Sequence, residues 1–177
     1  MEKLARNLLL IDDLVLKITL FLCGGLLLMM VFVAGLGVVF RFILHNSLSW
    51  SDELAAYLFV WLTCLGAAAG AKLRVHPEVR ILADRCPPAF AQTLADLTDC
   101  VVLGLGVVFV MYGGDMLDLM GTETATSLPI SMVYPYLSIP VCGALLVFHS
   151  AVRIAGSHLA PGAQTRPSLL QGVSEHI

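Results

Sequence analysis

The chain has 177 residues, of which 58 % are hydrophobic and only 13 % are charged, and its mean hydropathy is +0.88. Soluble domains carry about 25 % charged residues, so this composition excludes both a soluble fold and a disordered chain. The net charge of −3 leaves no basic surface for nucleic acid. The composition therefore predicts a protein whose solvent is membrane lipid.

Stretches without charged residues predict four transmembrane helices, at about 18–40, 54–71, 94–116 and 131–152. As a helix the first stretch is about 34 Å long, which is enough to cross a hydrocarbon core of about 30 Å. It is too long for the apolar core of a cleaved signal peptide, so we interpret it as a retained span. The predicted fold is an all-α integral membrane protein with one four-helix domain over residues 1–159.

The two ends of the chain differ in composition from the spans. Residues 1–17 place four aliphatic side chains at helical spacing with charged residues between them. They form either a short interfacial helix that leads into the first span or a frayed terminus. Residues 160–177 are rich in Pro, Gly, Gln and Ser, and we expect them to form a disordered tail.

Prolines refine the third and fourth spans. Pro87 and Pro88 offer a helix start ahead of the third span, whose charge-free stretch is too short on its own. The fourth helix is expected to begin near Ser131, with Pro135 in or near its first turn. Pro140 then falls in the helix interior, where we expect it to kink the helix.

Basic residues are distributed unevenly over the segments between the predicted spans. Nine of the ten lysines and arginines lie on the side of the N-terminus, and only Arg41 lies on the other side. By the positive-inside rule, both termini are cytoplasmic. Five aromatic residues then map to the outer half, as expected for an interfacial belt: Trp50, Tyr57, Tyr112, Tyr134 and Tyr136.

Residue types that carry chemistry are scarce within the spans. The five cysteines are far apart in sequence and none lies in an outer loop, so we interpret them as small apolar residues rather than disulfide partners. His149 alone lies within an apolar run, near its inner end, and one histidine cannot supply the paired ligands of a membrane haem. We expect it to be an interfacial side chain. Because no metal or nucleophile motif is present, we predict neither an enzyme nor a cofactor on this chain.

One polar face occurs near the start of the third span. Gln92, Asp96 and Asp99 lie at i, i+4 and i+7 and share one side of the helix. They form either an ion or proton site, as in a self-contained dimeric four-helix carrier or exporter, or a cap at the inner end of the span. In the second interpretation they pair with one of three basic residues, Lys72, Arg74 or Arg85.

Two further patterns indicate contacts rather than chemistry. Gly66 and Gly70 have GxxxG spacing within a run of small residues, which predicts a close helix contact inside this chain or with a partner. In the outer segment 41–54, Ser47 or Ser49 can cap the second span and acidic residues occupy its first turn. This segment is either a capped turn with an aromatic anchor or a docking surface on the outer face.

Residues 41–68, which read RFILHNSLSWSDELAAYLFVWLTCLGAA, resemble the small permease subunit of TRAP transporters, the DctQ-type family. The likeness continues in residues 79–88 and 131–140, so that it covers roughly residues 8–155. Residues 76–80 read HPEVR, where the family's inner loop often has His-Ile/Val-x-Val-Asp.

The resemblance implies a multi-pass protein of the bacterial or archaeal cytoplasmic (inner) membrane that works with a large permease subunit and an extracytoplasmic solute-binding protein. It implies sodium-driven uptake of organic acids, of the dicarboxylate or sialic-acid type, with the substrate and sodium sites on the elevator-type large subunit. This chain would then be a scaffold. The residues expected to organise its outer surface and partner interface are Arg41, Ser49, Trp50, Asp52, Glu53 and Trp61, and those expected to pack helices are Gly66, Gly70 and Pro140.

Overall fold

The computed structural model describes residues 2–46, 48–73 and 88–159, and the side chains of 7–46, 48–73 and 97–154. The predicted tail 160–177, the HPEVR segment and the basic residues Arg74 and Arg85 lie outside the described residues. The same holds for Ser47 and for the side chains of Gln92 and Asp96.

The described chain forms five helices: α1 (Glu2–Phe42), α2 (Ser49–Leu73), α3 (Pro88–Met120), α4 (Val133–Tyr136) and α5 (Ser138–Leu159). Four segments are long and apolar enough to cross a membrane: Asn7–Phe42, Ser49–Leu73, Leu97–Met120 and Val133–Ile154. The predicted all-α fold with four spans is therefore confirmed.

Helix α1 is longer than the predicted first span. It runs without a break from Glu2, so residues 2–17 are helical and continue directly into the span. Its 41 residues correspond to about 61 Å of helix. The alternative of a frayed terminus is thus wrong from Glu2 onwards.

Helix α5 lies at the centre of the bundle. It packs against α1, α2 and α3, and the most extensive helix pairs are α3 with α5 and α1 with α2. The core is small and is built on Ala68, Cys142 and Leu146. By contrast, most large apolar side chains of α1 and α3 are exposed, as expected for helices that face lipid or a partner subunit.

Glycines allow α3 and α5 to approach closely. A Cβ atom added at Gly143 would lie 2.6 Å from the carbonyl oxygen of Gly106 and 2.8 Å from Cβ of Phe109. A Cβ atom added at Gly113 would lie 2.9 Å from Cδ of Pro140. These three glycines form the α3–α5 seam, which relies on the small residues common at membrane helix contacts.

The glycines predicted to form a close contact lie elsewhere. A Cβ atom added at Gly66 or Gly70 would meet nothing within 4 Å in the described part of the chain. The close contacts inside this chain are therefore at the α3–α5 seam and at Gly37, where an added Cβ atom would lie 2.7 Å from Oγ of Ser51, and not at the GxxxG pair. Packing of Gly66 and Gly70 against a partner stays a prediction.

The prolines act close to where they were expected. Helix α3 begins at Pro88, and Pro135 lies in the short helix α4. The interruption is at Leu137, however, and Pro140 lies in the first turn of α5 rather than in a helix interior. The reason is that Pro140 has no N–H to bond the carbonyl of Tyr136 and its ring crowds that carbonyl, so the helix breaks before it. The hydroxyl of Ser138 donates to the carbonyl of Pro135 at 2.7 Å across the break.

Candidate functional site

A stripe of polar side chains on α2 reaches the loop that joins α3 to α4, residues 121–132. Glu53, Tyr57 and Trp61 are spaced by four residues and therefore lie on one face of α2. Oε1 of Glu53 accepts hydrogen bonds from the backbone N–H of Thr126 at 2.9 Å and from the Tyr57 hydroxyl at 2.8 Å. Oε2 accepts a hydrogen bond from the backbone N–H of Ser127 at 2.7 Å. One carboxylate thus holds the loop at two consecutive residues.

The same stripe continues towards α4. The Tyr57 hydroxyl lies 3.4 Å from Sδ of Met132, and Nε1 of Trp61 donates to the carbonyl oxygen of Tyr134 at 3.1 Å. We call Glu53, Tyr57 and Trp61, with the groups they hold, the outer clasp, after the side of the membrane that the sequence predicts for them. It joins α2 to the start of the fourth span through side chains that all come from one helix face.

The loop held by the outer clasp has a hairpin-like form. Thr124 and Ser131 make an isolated antiparallel bridge. Inside this bridge the N–H of Ala125 donates to the carbonyl of Ile130 at 2.9 Å. Thr126, Ser127 and Pro129 remain exposed at the tip.

The other residues predicted for the outer surface lie near the clasp without joining it. Arg41, Ser49 and Asp52 are exposed and Trp50 is half-buried. Among the described residues, no ion pair links Arg41 to either acid of the first turn of α2. Ser51, which the sequence did not single out, is buried, and its hydroxyl donates to the carbonyl of Leu48 at 2.8 Å. The structure therefore brings together Glu53 and Trp61 but not Arg41.

The opposite end of the bundle holds buried charges. Nζ of Lys72 on α2 lies 2.7 Å from Oδ2 of Asp12 and 2.9 Å from Oδ1 of Asp13, both on α1. The remaining oxygen of Asp12, Oδ1, lies 2.5 Å from Nδ1 of His149 on α5. The exposed fractions of these side chains are 9 % for Asp12, 8 % for Lys72 and 1 % for His149. Three helices are therefore tied by one carboxylate that uses both oxygens.

A second ion pair adjoins the first group. Arg153 on α5 donates to Oδ1 of Asp99 on α3 at 2.5 Å, and its other terminal nitrogen donates to the carbonyl oxygen of Ala71 on α2 at 3.1 Å. This pair links α5 to α2 and α3. We call the whole set the inner charge cluster: Asp12, Asp13, Lys72, Asp99, His149 and Arg153.

The inner charge cluster corrects two details of the sequence interpretation. Asp99 pairs with a basic residue at the inner end, as one alternative expected, but its partner is Arg153 and not Lys72. His149, expected as an interfacial side chain, is buried between helices, where its Nδ1 faces Asp12. Asp12, which binds both Lys72 and His149, was missed as a bundle residue. The signal that could have revealed it was an acid set among leucines at helical spacing.

Within the described part of the chain, no group of three His, Cys, Asp or Glu side chains is placed so that it could hold a metal ion. Cys142 is buried in the core, and its thiol donates to the carbonyl oxygen of Cys64 at 3.1 Å. This cysteine has the apolar packing role that the sequence predicted.

Comparison with known proteins identifies the family. The family described as Tripartite ATP-independent periplasmic transporters, DctQ component, matches residues 28–158. The Isethionate TRAP transporter permease protein DctMQ of Oleidesulfovibrio alaskensis is 27 % identical over 151 residues, which are 81 % of this chain and 24 % of that protein.

Two shorter relatives are also similar. A Putative TRAP transporter small permease protein of Haemophilus influenzae is 33 % identical over 82 residues, or 46 % of this chain and 51 % of that protein. The Sialic acid TRAP transporter small permease protein SiaQ of Vibrio cholerae is 27 % identical over 115 residues, or 64 % of this chain and 66 % of that protein. The chain thus spans between about a quarter and two thirds of the length of these relatives.

The predicted resemblance is confirmed, and the family is one of multi-pass inner-membrane transporter components, in keeping with the four candidate spans of this chain. The match covers both the outer clasp and the α3–α5 seam. This chain belongs to the DctQ component family of tripartite ATP-independent periplasmic transporters.

Proposed function

We propose that this chain is the small scaffold subunit of a sodium-driven, binding-protein-dependent transporter for organic acids. It would hold an elevator-type large permease subunit in the membrane, and an extracytoplasmic solute-binding protein would dock on the outer face. The observation that carries this proposal is the family match over residues 28–158. The relatives are named for isethionate and for sialic acid, both organic acids, so the substrate class is proposed and the individual substrate is left open.

The distribution of charge supports a scaffold role. Within the described residues, the ionic side chains lie towards the two ends of the bundle and the middle of each span is apolar. A carrier that moves an ion needs an ionisable group in the span that gains and loses the ion. The inner charge cluster is instead occupied by contacts within the chain. Sodium and substrate are therefore expected on the large subunit.

The alternative of a self-contained carrier depends on Asp96 and Asp99. The carboxylate of Asp99 lies 2.5 Å from the guanidinium of Arg153, and its side chain is only 5 % exposed. A carboxylate that is held by a guanidinium is poorly suited to exchange protons or sodium, because the ion would have to displace Arg153. The geometry therefore favours the structural role of Asp99.

The orientation proposed from the sequence places the outer clasp on the extracytoplasmic side. The basic residues that the structure describes at the inner end, Lys17, Lys72 and Arg153, would face the cytoplasm. In this orientation the exposed residues around the outer clasp are available to a protein outside the membrane.

The direct test is to express this chain with its large subunit and to purify the complex through a tag on this chain. We expect the two to co-purify and, in proteoliposomes, to take up an organic acid only with a sodium gradient and the binding protein. Asp96→Asn and Asp99→Asn should retain sodium coupling. Transport by this chain alone, abolished by either substitution, would support the carrier instead.

A second test examines the predicted partner contact at the GxxxG pair. Gly66→Leu fills space that is open in the isolated chain, so it should leave the melting temperature of the purified subunit within about 2 °C. If Gly66 packs against the large subunit, the same variant should recover much less of that subunit during purification. Unchanged recovery of the large subunit would rule out this contact.

A further inference from the structure

The loop 121–132 is longer than the connection requires. Helices α3 and α5 touch along the α3–α5 seam, and antiparallel helices in contact are commonly joined by about 2–5 residues. Here Met120 and Val133 are separated by residues 121–132. Loops of about this length inside compact domains are typically either functional or disordered. This loop is ordered by hydrogen bonds, which indicates a function for its tip.

Glu53 is the group that fixes the tip. The backbone N–H groups of Thr126 and Ser127 donate to its two oxygens at 2.9 and 2.7 Å. Hydrogen bonds to a carboxylate are roughly twice as strong as bonds between neutral groups. Because both donors are backbone groups, the contact sets the path of the loop and leaves the side chains of Thr126 and Ser127 exposed.

The carboxylate of Glu53 is fully engaged within the chain. One oxygen also receives the Tyr57 hydroxyl, so the two oxygens accept three hydrogen bonds inside the outer clasp. A partner protein that sought this carboxylate would have to displace bonds that the chain already makes. The accessible chemistry is instead at the loop tip, where Thr126, Ser127 and Pro129 offer hydroxyls and an uncharged ring. Such an uncharged edge suits a hydrogen-bonding protein surface.

We infer that Glu53 is a positioning residue for docking of the extracytoplasmic binding protein, and that the tip of the loop 121–132 is the surface which that protein contacts. The inference rests on the proposed function and deepens it. Glu53 acts through the backbone of Thr126 and Ser127 and does not itself touch the binding protein. The outer clasp therefore keeps an exposed, uncharged edge in one position, which lowers the entropy lost when the binding protein docks.

The test uses the complete transporter in proteoliposomes, with uptake measured against the concentration of substrate-loaded binding protein. Glu53→Gln keeps the size of the side chain but places an NH₂ group opposite backbone N–H donors. We expect it to raise the half-saturating concentration of binding protein about tenfold and to leave the maximal rate within about twofold. Asp115→Asn is the matched control, because it removes one negative charge from an exposed site on α3 at the same end. It should change neither value.

A second variant tests the contact surface without changing the side chains of the outer clasp. Thr126→Trp adds bulk at the exposed tip and keeps the backbone N–H that Glu53 accepts. We expect it also to raise the half-saturating concentration, with normal recovery of the complex. If Glu53→Gln prevents assembly, Thr126→Trp decides the question alone.

Three results would contradict the inference in different ways. A lower maximal rate for Glu53→Gln at an unchanged half-saturating concentration would show that the residue does not act on docking. An unchanged half-saturating concentration for Thr126→Trp would show that the tip is not the contact surface. Uptake by the unsubstituted transporter without any binding protein would refute the proposed function itself, and this inference with it.

Discussion

The inner charge cluster predicts unequal effects for two neighbouring aspartates. Asp12 contacts Lys72 and His149 and is almost buried, whereas Asp13 contacts only Lys72 among these groups and is 32 % exposed. Asp12→Asn leaves a nearly buried ammonium opposite an amide and removes the charged acceptor of His149. Asp13→Asn removes only a partly solvated partner. The same substitution at adjacent positions therefore provides its own control.

The magnitudes follow from burial and from the partners that remain. Removing one member of a buried ion pair costs about 3–5 kcal/mol when the other charge is left unpaired. Lys72 keeps Asp13 in the Asp12→Asn variant, so we expect a smaller loss, about 2–3 kcal/mol. Asp13→Asn should cost less than about 1 kcal/mol, because exposed pairs contribute little. For a chain of this size these losses correspond to roughly 5–10 °C and about 2 °C in melting temperature.

The assay is thermal unfolding of the purified subunit in detergent, followed by tryptophan fluorescence at constant pH and salt. Lys72→Met added to Asp12→Asn removes the cation that was left behind and should recover part of the lost stability, so the double variant should be non-additive. Equal melting shifts for Asp12→Asn and Asp13→Asn would refute the assignment of Asp12 as the central residue of the inner charge cluster.

Gly143→Ala should destabilise the subunit by about 2 kcal/mol or more, because the added methyl group would meet backbone atoms of α3 at under 3 Å. Gly66→Ala has open space around it and should leave the melting temperature unchanged or slightly raised. If both alanine variants lowered the melting temperature equally, the close packing at the α3–α5 seam would be refuted. Pro140→Ala restores a backbone N–H and should join α4 to α5, visible as slow hydrogen exchange of the new amide; fast exchange would mean that another residue causes the break. Thr126→Cys should react with an impermeant maleimide outside intact cells, and Ser168→Cys only in opened cells; the reverse pattern would overturn the proposed orientation.

The spans could be predicted from the sequence because they depend on local composition. A charge-free run of about 20 residues predicts a helix in lipid, because a helix satisfies its backbone hydrogen bonds within one segment. The start of α3 at Pro88 was predictable for a similar reason, because proline suits the first position of a helix. The spacing of four aliphatic side chains in residues 1–17 left open a helix or a frayed terminus, and the structure decides for a helix that starts at Glu2.

The contacts between distant segments could not be predicted in the same way. Asp12 meets His149 across 137 positions, and Glu53 meets the loop across 73 and 74 positions. Such pairs depend on which helices are neighbours, and hydrophobic runs do not encode that order. The α3–α5 seam could have been predicted only in part. Gly106 and Gly113 are seven residues apart and so share a helix face, but the GxxxG pair in α2 matched a better-known pattern.

The length of α1 explains why charges are tolerated at the inner end of so apolar a chain. Its membrane-compatible part, Asn7–Phe42, has 36 residues and is about 54 Å long. Tilted by about 40°, the upper end of the usual range, it still spans about 41 Å, more than the hydrocarbon core of about 30 Å. The full bilayer with its headgroup regions is about 40–45 Å thick, so a strongly tilted α1 fits it end to end.

With such a tilt, and with α1 centred in the bilayer, Asp12 would lie about 6 Å deeper than Asn7, five positions before it, and so at the edge of the hydrocarbon core. The exposed neighbours Leu10 and Leu14 then face the boundary between headgroups and acyl chains, while Asp12 turns inward to Lys72 and His149. Charges at this depth cost far less than charges at the bilayer centre. We therefore expect the inner charge cluster to bind four helices together at the membrane boundary, with the middle of every span apolar.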